Sequence, residues 1–152
     1  MKNKKILISV IGGHKADKQT AKNSFAVGCI IGKLGAILVC GGLTGVMQQA
    51  ARGAKSQGGL TVGILPGKDK NQANPYIDIP IPTGLGFIRN TLVASCADII
   101  IALSGKAGTL SEIGFALSEK KTVLGLNTWR IPGVIKVKDI KSLEKKLKKL
   151  LR

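Results

Sequence analysis

Ala97-Asp-Ile-Ile-Ile-Ala-Leu103, running directly into Ser104-Gly105-Lys106-Ala107-Gly108, decides the fold. The first seven residues form a short, almost continuous apolar run bounded by a glycine loop. Such a run reads as a strand covered on both faces, the condition of a strand inside a parallel sheet. After the loop, Thr109 to Ser118 reads as a helix. Strand, glycine turn and helix in that order form the repeating unit of an α/β domain.

The same unit recurs outward in both directions. Lys5 to Ile11 is a buried strand, Gly12-Gly13-His14 a turn, and Asp17 to Leu34 a helix. Gly35 to Cys40 is a second strand, broken by Gly41-Gly42, with a helix from Leu43 to Gln57 that Gly58-Gly59 ends. Leu60 to Leu65 is a third strand, and Lys68 to Pro75 a polar loop that forms either a lid or a plain connection. Tyr76 to Ile81 is a fourth strand, and Pro80 within it predicts an edge position or a bulge. A helix follows from Gly84 to Ser95. After the helix ending at Ser118 come strands at Lys121–Leu126 and Val134–Val137, separated by the loop Asn127–Pro132. Ile140, Leu143, Leu147, Leu150 and Leu151 then mark an amphipathic helix that closes the chain. Alternation throughout predicts a three-layer α/β sandwich, a mostly parallel sheet with helices on both faces. With 152 residues and no linker or repeat, one domain over 1–152 is expected.

Composition narrows the function classes. Aromatics are only 3% of the chain, so the core is aliphatic. Cys29, Cys40 and Cys96 are odd in number and lack a CxxC spacing. They read as reduced, buried small hydrophobes of a cytoplasmic protein, with Cys40, beside Gly41-Gly42, the strongest candidate for a reactive thiol. The basic start followed by an apolar run imitates a signal peptide, but the run is too short, and no segment is long enough to span a membrane. His14 is the single histidine, so no metal cluster is expected. The formal charge of +16 raises a nucleic-acid partner. However, the stretch from Lys136 to Arg152 carries eight basic and two acidic residues with no interleaved aromatic. That pattern reads as the solvated face of the last helix rather than a base-stacking surface.

Three glycine-rich loops lie at strand-to-helix junctions: Gly12-Gly13, Gly41-Gly42-Leu43-Thr44-Gly45, and Gly105-Lys106-Ala107-Gly108-Thr109. Open parallel sheets bind ligands at the carboxyl ends of their strands. Glycines allow close backbone approach, and free amides at a helix start favour an anion. Thr44 and Thr109 add hydroxyl donors. Neither a nucleotide P-loop nor GxGxxG is present, which argues against an ordinary ATPase or dehydrogenase. Arg89, at the start of a helix, is suited to grip a phosphate or carboxylate with two parallel bonds. Asn90 either bonds a ligand or satisfies backbone. Glu112 stands at capping-box spacing from Thr109, so helix capping and chemistry are both open to it. Trp129 and Arg130 pack the last loop onto the pocket or onto a second subunit.

The motifs Val10-Ile-Gly-Gly13, Leu38-Val-Cys-Gly-Gly-Leu-Thr-Gly-Val-Met47, Gly63-Ile-Leu-Pro66, Thr83-Gly-Leu-Gly-Phe-Ile-Arg-Asn90 and Gly105-Lys-Ala-Gly-Thr-Leu-Ser-Glu112 occur in that order. Together they resemble the superfamily that unites the "Lonely guy" cytokinin-activating proteins, often labelled lysine decarboxylases, with a DNA-processing protein. The Thr-Gly-x-Gly…Arg-Asn pattern is similar to the branch that includes molybdenum cofactor carrier proteins. The resemblance implies a Rossmann-like fold assembled as dimers or tetramers. It also implies either of two activities. Carrier members hold a pterin phosphate cofactor without turning it over. Cytokinin-activating members hydrolyse nucleoside 5′-monophosphates to free base and ribose 5-phosphate, and there the resemblance assigns Glu112 and Arg89 to catalysis. In both, Gly12, Gly13, Gly41, Gly42, Thr44, Gly45, Asn90, Gly105, Lys106, Gly108 and Thr109 join Arg89 and Glu112 around a phosphorylated ligand, a nucleotide or a molybdenum cofactor. The signature Pro-Gly-Gly-x-Gly-Thr-x-x-Glu is altered: Ser104 stands for the proline, Lys106 for the second glycine, and Asn90 for the lysine that usually follows the arginine. These departures favour the carrier over the hydrolase.

Overall fold

A computed structural model describes residues 4–152, so the first three residues of the expected 1–152 domain lie outside the described residues. Seven parallel strands form one sheet: β1 (Leu7–Ile11), β2 (Ile37–Cys40), β3 (Thr61–Leu65), β4 (Ile79–Pro82), β5 (Ile99–Ala102), β6 (Thr122–Leu126) and β7 (Ile135–Val137). Their order is β4-β3-β2-β1-β5-β6-β7. The sheet is therefore wholly parallel, and β4 with its Pro80 is at an edge, paired only with β3. Chain order reverses between β1 and β5, where Ile8–Ile11 pair with Ile99–Ala102. This switch point opens a crevice above the strand ends.

Side-chain alternation divides the core into two layers. Ile8, Val10, Leu38, Cys40, Ile99, Ile101, Leu124 and Leu126 face one side. There they meet α1 (Lys18–Lys33), α2 (Val46–Ser56) and α5 (Ile140–Leu150) through Val27, Ile31, Ala50, Leu143 and Leu147. Ile11, Val39, Ile64, Ile100, Ala102 and Val123 face the other side. They meet α3 (Arg89–Ser95) and α4 (Ala107–Ser118) through Val93, Ala94, Ile113 and Ala116. The expected sandwich with helices on both faces is what forms.

Local chemistry shifts several boundaries. Asp17 caps α1 by accepting the Thr20 amide at 2.7 Å, so the helix proper begins one residue later than the sequence reading. Gly42 and Gly45 hold φ of +77° and +67°, which delays α2 from Leu43 to Val46. The helix expected from Gly84 is also shorter. Gly84 and Gly86 have positive φ, a 3₁₀ turn covers Gly86–Ile88, and α3 begins at Arg89. The polar loop 68–75 contains a 3₁₀ turn at Lys70–Gln72. It is fastened at buried Asn74, whose amide donates to the Gly42 carbonyl at 2.9 Å and whose Nδ2 donates to the Leu43 carbonyl at 2.8 Å.

The cysteine reading needs correction. All three are free, but only Cys40 is buried. Cys29 is half-buried beside Ser56, and Cys96 is exposed just past the end of α3. Burial pushes the Cys40 thiol up to about 12, so it stays protonated and unreactive at neutral pH. Among the described residues, no helix is long and apolar enough to cross a membrane.

Candidate functional site

The loops after β1, β2 and β5 converge above the switch point because glycine lets their backbones touch. The Gly13 amide donates to the Ser104 carbonyl at 2.9 Å, and the Val46 amide donates to the Gly13 carbonyl at 3.0 Å. Thr44 Oγ1 donates to the His14 carbonyl at 2.8 Å. A side chain on Gly45 would overlap the Gly13 carbonyl, and one on Gly105 would overlap the Thr109 hydroxyl.

These loops, with α3 and α4, enclose a cavity of about 410 Å³, a size suited to a small-molecule ligand. The structure brings Gly12, Gly13, Gly41, Arg89, Asn90, Gly105, Lys106, Gly108, Thr109 and Glu112 together in its wall. Gly42, Thr44 and Gly45 do not line it. Gly42 packs beneath Leu65 and Gly63, while Thr44 and Gly45 clamp the first loop. Sequence reading missed Lys15, Thr20, Leu43, Met47 and Phe87, all of which line the cavity, and gave His14 only a minor role. Leu43 and Met47 lay inside the Leu38–Met47 motif and Phe87 inside the Thr83–Asn90 motif, a signal that was available for these three; Lys15 and Thr20 had none. Trp129 and Arg130 line a different cavity, which settles one of their two alternatives.

The wall holds two buried ionisable side chains. Arg89 and Glu112 are only 8% and 7% exposed. Arg89 Nη1 donates to Asn90 Oδ1, and Nη2 donates to the Gly41 carbonyl at 3.4 Å. Its Nε is buried with no hydrogen-bond partner among the described residues. A side chain on Gly41 would stand 2.7 Å from Nη2, so the glycine makes room for the guanidinium. Burial lowers the Arg89 pKa, which the nearby Glu112 charge partly restores. Burial pushes the Glu112 carboxyl up to about 8 against the pull of Arg89. At neutral pH Glu112 is thus mostly a neutral acid, able to donate a hydrogen bond.

The helix start at Lys106 completes the wall. No side chain caps α4, and Leu110 makes its first internal amide bond, to the Lys106 carbonyl. The preceding amides therefore lie at an uncapped helix start, the region that favours an anion. The capping-box alternative for Thr109 and Glu112 is not what forms. The helix begins at Ala107, two residues before the sequence reading, so Thr109 lies in the first turn and Glu112 in the second. Among the described residues, no group of three His, Cys, Asp or Glu side chains is placed to hold a metal ion.

Fold and site together define a Rossmann-like α/β protein with a ligand-sized, cation-lined cleft at the switch point of its sheet. The chain belongs to the SLOG cluster4 family, which matches residues 5–151. A relative from Archaeoglobus fulgidus, an uncharacterized protein, is 44% identical over 119 residues, 78% of each chain. The molybdenum cofactor binding protein of Rippkaea orientalis is 33% identical. It superposes with a TM-score of 0.92 over 98% of this chain and 99% of its own. The molybdenum cofactor carrier protein of Chlamydomonas reinhardtii is 32% identical, with a TM-score of 0.89 over 97% and 99%. The DNA processing protein A of Helicobacter pylori shares the fold at 19% identity, with a TM-score of 0.73 over 95% of this chain and 80% of its own. The resemblance read from the motifs is borne out.

Proposed function

We propose that this chain is a binding or carrier protein for a phosphorylated small molecule, of the pterin phosphate or nucleotide class, held in the switch-point cavity. One observation carries the reading: the unpartnered Arg89 Nε and the uncapped start of α4 adjoin the same cavity. A buried donor without a partner is costly, and a phosphate oxygen would relieve it. Arg89 holds the anion, the amides of Gly108 and Thr109 add their dipoles, and neutral Glu112 donates to it rather than repelling it. Lys106 and Lys15 extend the positive wall. This donor set fits the phosphate of a molybdenum cofactor, and the two relatives named for that cofactor agree with it in fold. The cargo would bring the metal and its own ligands.

The test is calorimetric titration with a pterin phosphate and with nucleoside 5′-monophosphates. Arg89→Ala is expected to lose roughly 10- to 100-fold in affinity, the worth of a charged hydrogen-bonding group. Unchanged affinity would reject the reading. Hydrolysis is the second reading, supported by Arg89 and Glu112, both buried, lining one cavity. Release of ribose 5-phosphate from a nucleoside monophosphate, lost in Glu112→Gln, would replace the carrier by the phosphoribohydrolase.

The reading extends to a cytoplasmic homo-oligomer. Phe87 and Ile88 are 64% and 67% exposed, with Leu85 just before them, Leu92 on α3 and Leu110 on α4 also exposed. An apolar patch of this kind marks a contact surface.

A further inference from the structure

Beyond the switch point, the loop from β6 to β7 builds a second cavity of about 700 Å³. It shares no lining residue with the first. Three features define the loop. Gly125 lies in β6, where a side chain would come within 2.8 Å of Val134 and 2.9 Å of Thr128, so glycine lets the loop close against the strand. Asn127 turns the chain with φ of +50°, a conformation that asparagine tolerates better than most residues. The Thr128 hydroxyl is buried in the wall with no hydrogen-bond partner among the described residues.

The chemistry around that hydroxyl is one-sided. Arg130 and Lys136 are exposed and line the cavity, and no carboxylate does. Trp129 offers a half-open indole, 39% exposed. An orphaned hydroxyl and two cations suit an anion, and the indole suits a flat ring beside it.

We infer that this cavity is a second binding site, for a small aromatic molecule carrying a phosphate or carboxylate. The ring packs on Trp129 while the anion takes Arg130, Lys136 and the Thr128 hydroxyl. Occupation of this site is independent of the switch-point cavity.

Trp129 is the single tryptophan of the chain, so its fluorescence reports this cavity directly. The probe is phenyl phosphate, titrated into the intact protein, with phenol and inorganic phosphate as half-probes. A saturable change of Trp129 emission in the millimolar range is expected, typical of a fragment of this size. Arg130→Ala and Lys136→Ala, both at exposed positions that leave the core intact, are expected to weaken it roughly tenfold each. Arg89→Ala is expected to leave it unchanged, which separates this site from the proposed carrier site. Each half-probe is expected to bind roughly tenfold more weakly than the whole. No saturable change overturns the inference. So does a response insensitive to Arg130→Ala and Lys136→Ala, one abolished by Arg89→Ala, or one reproduced by either half-probe at equal strength.

Discussion

Arg89 and Glu112 show how burial alters the meaning of two ordinary side chains. Both were singled out from their motifs, and both stand in the cavity wall. Their protonation was not legible, because it depends on desolvation that only the packed loops create. A carboxyl whose pKa rises on folding from 4.5 to about 8 keeps its proton in the native state over that whole interval. Its contribution to stability is complete below about 4.5 and is lost as pH rises through about 8. Denaturant midpoints measured from acid to mildly alkaline pH are therefore expected to fall across this window in the wild type and to fall less in Glu112→Gln. Parallel curves would show that Glu112 titrates normally. The sequence also could not tell which glycines border ligand space and which bind loop to loop. Gly13 and Gly45 look alike in the chain, and only the convergence of the three loops assigns Gly45 to the clamp.

At the scale of elements, the aliphatic strands were legible because burial on both faces leaves no polar alternation. The apolar run of β5 and the strand–helix alternation pointed to a mostly parallel sheet before any pairing was known, and Pro80 left β4 as an edge or a bulge, of which the edge is what forms. Helix starts were less legible, since Asp17 announces α1 by capping it, whereas α4 starts at Ala107 after Lys106, with no capping side chain. Glycines inside α1 and α2 weaken both helices by propensity, yet both helices form. The reason is contact between them. A side chain on Gly28 would overlap the Ala50 carbonyl, and one on Gly53 would overlap the Phe25 carbonyl. The two helices approach with their backbones almost touching. Gly28→Ala should gain helix propensity in isolation but lose about 1–3 kcal/mol in the protein, because overpacking pushes α1 from α2. Thermal melts of Gly28→Ala beside Gly114→Ala make the comparison, since Gly114, also helical, has open space around it. Equal effects at the two positions would refute the close-packing account.

At the scale of the whole molecule, the last helix gathers a large share of the positive charge. α5 lays buried Leu143 and Leu147 against the sheet, as the spacing predicted, and turns lysines such as Lys141 and Lys145 to solvent, but Leu150, read as part of the same stripe, is exposed at the helix end. The lysine-rich face of α5 thus disfavours close approach of two copies through it. Self-association, if the proposed oligomer forms, is expected at a surface with few cations and much exposed carbon. Segment 85–92 and α4 supply one, and Phe87 belongs both to that patch and to the switch-point cavity. A partner copy seated there would cover the cavity mouth and join ligand retention to assembly. Sedimentation is expected to give a small multiple of the 15.9 kDa chain. Ile88→Glu should reduce it to the single chain while leaving the circular dichroism spectrum unchanged, because Ile88 contributes nothing to the core. Ligand affinity should fall in the same variant, although Ile88 does not line the cavity. A wild-type protein that sediments as one chain would separate the patch from assembly altogether.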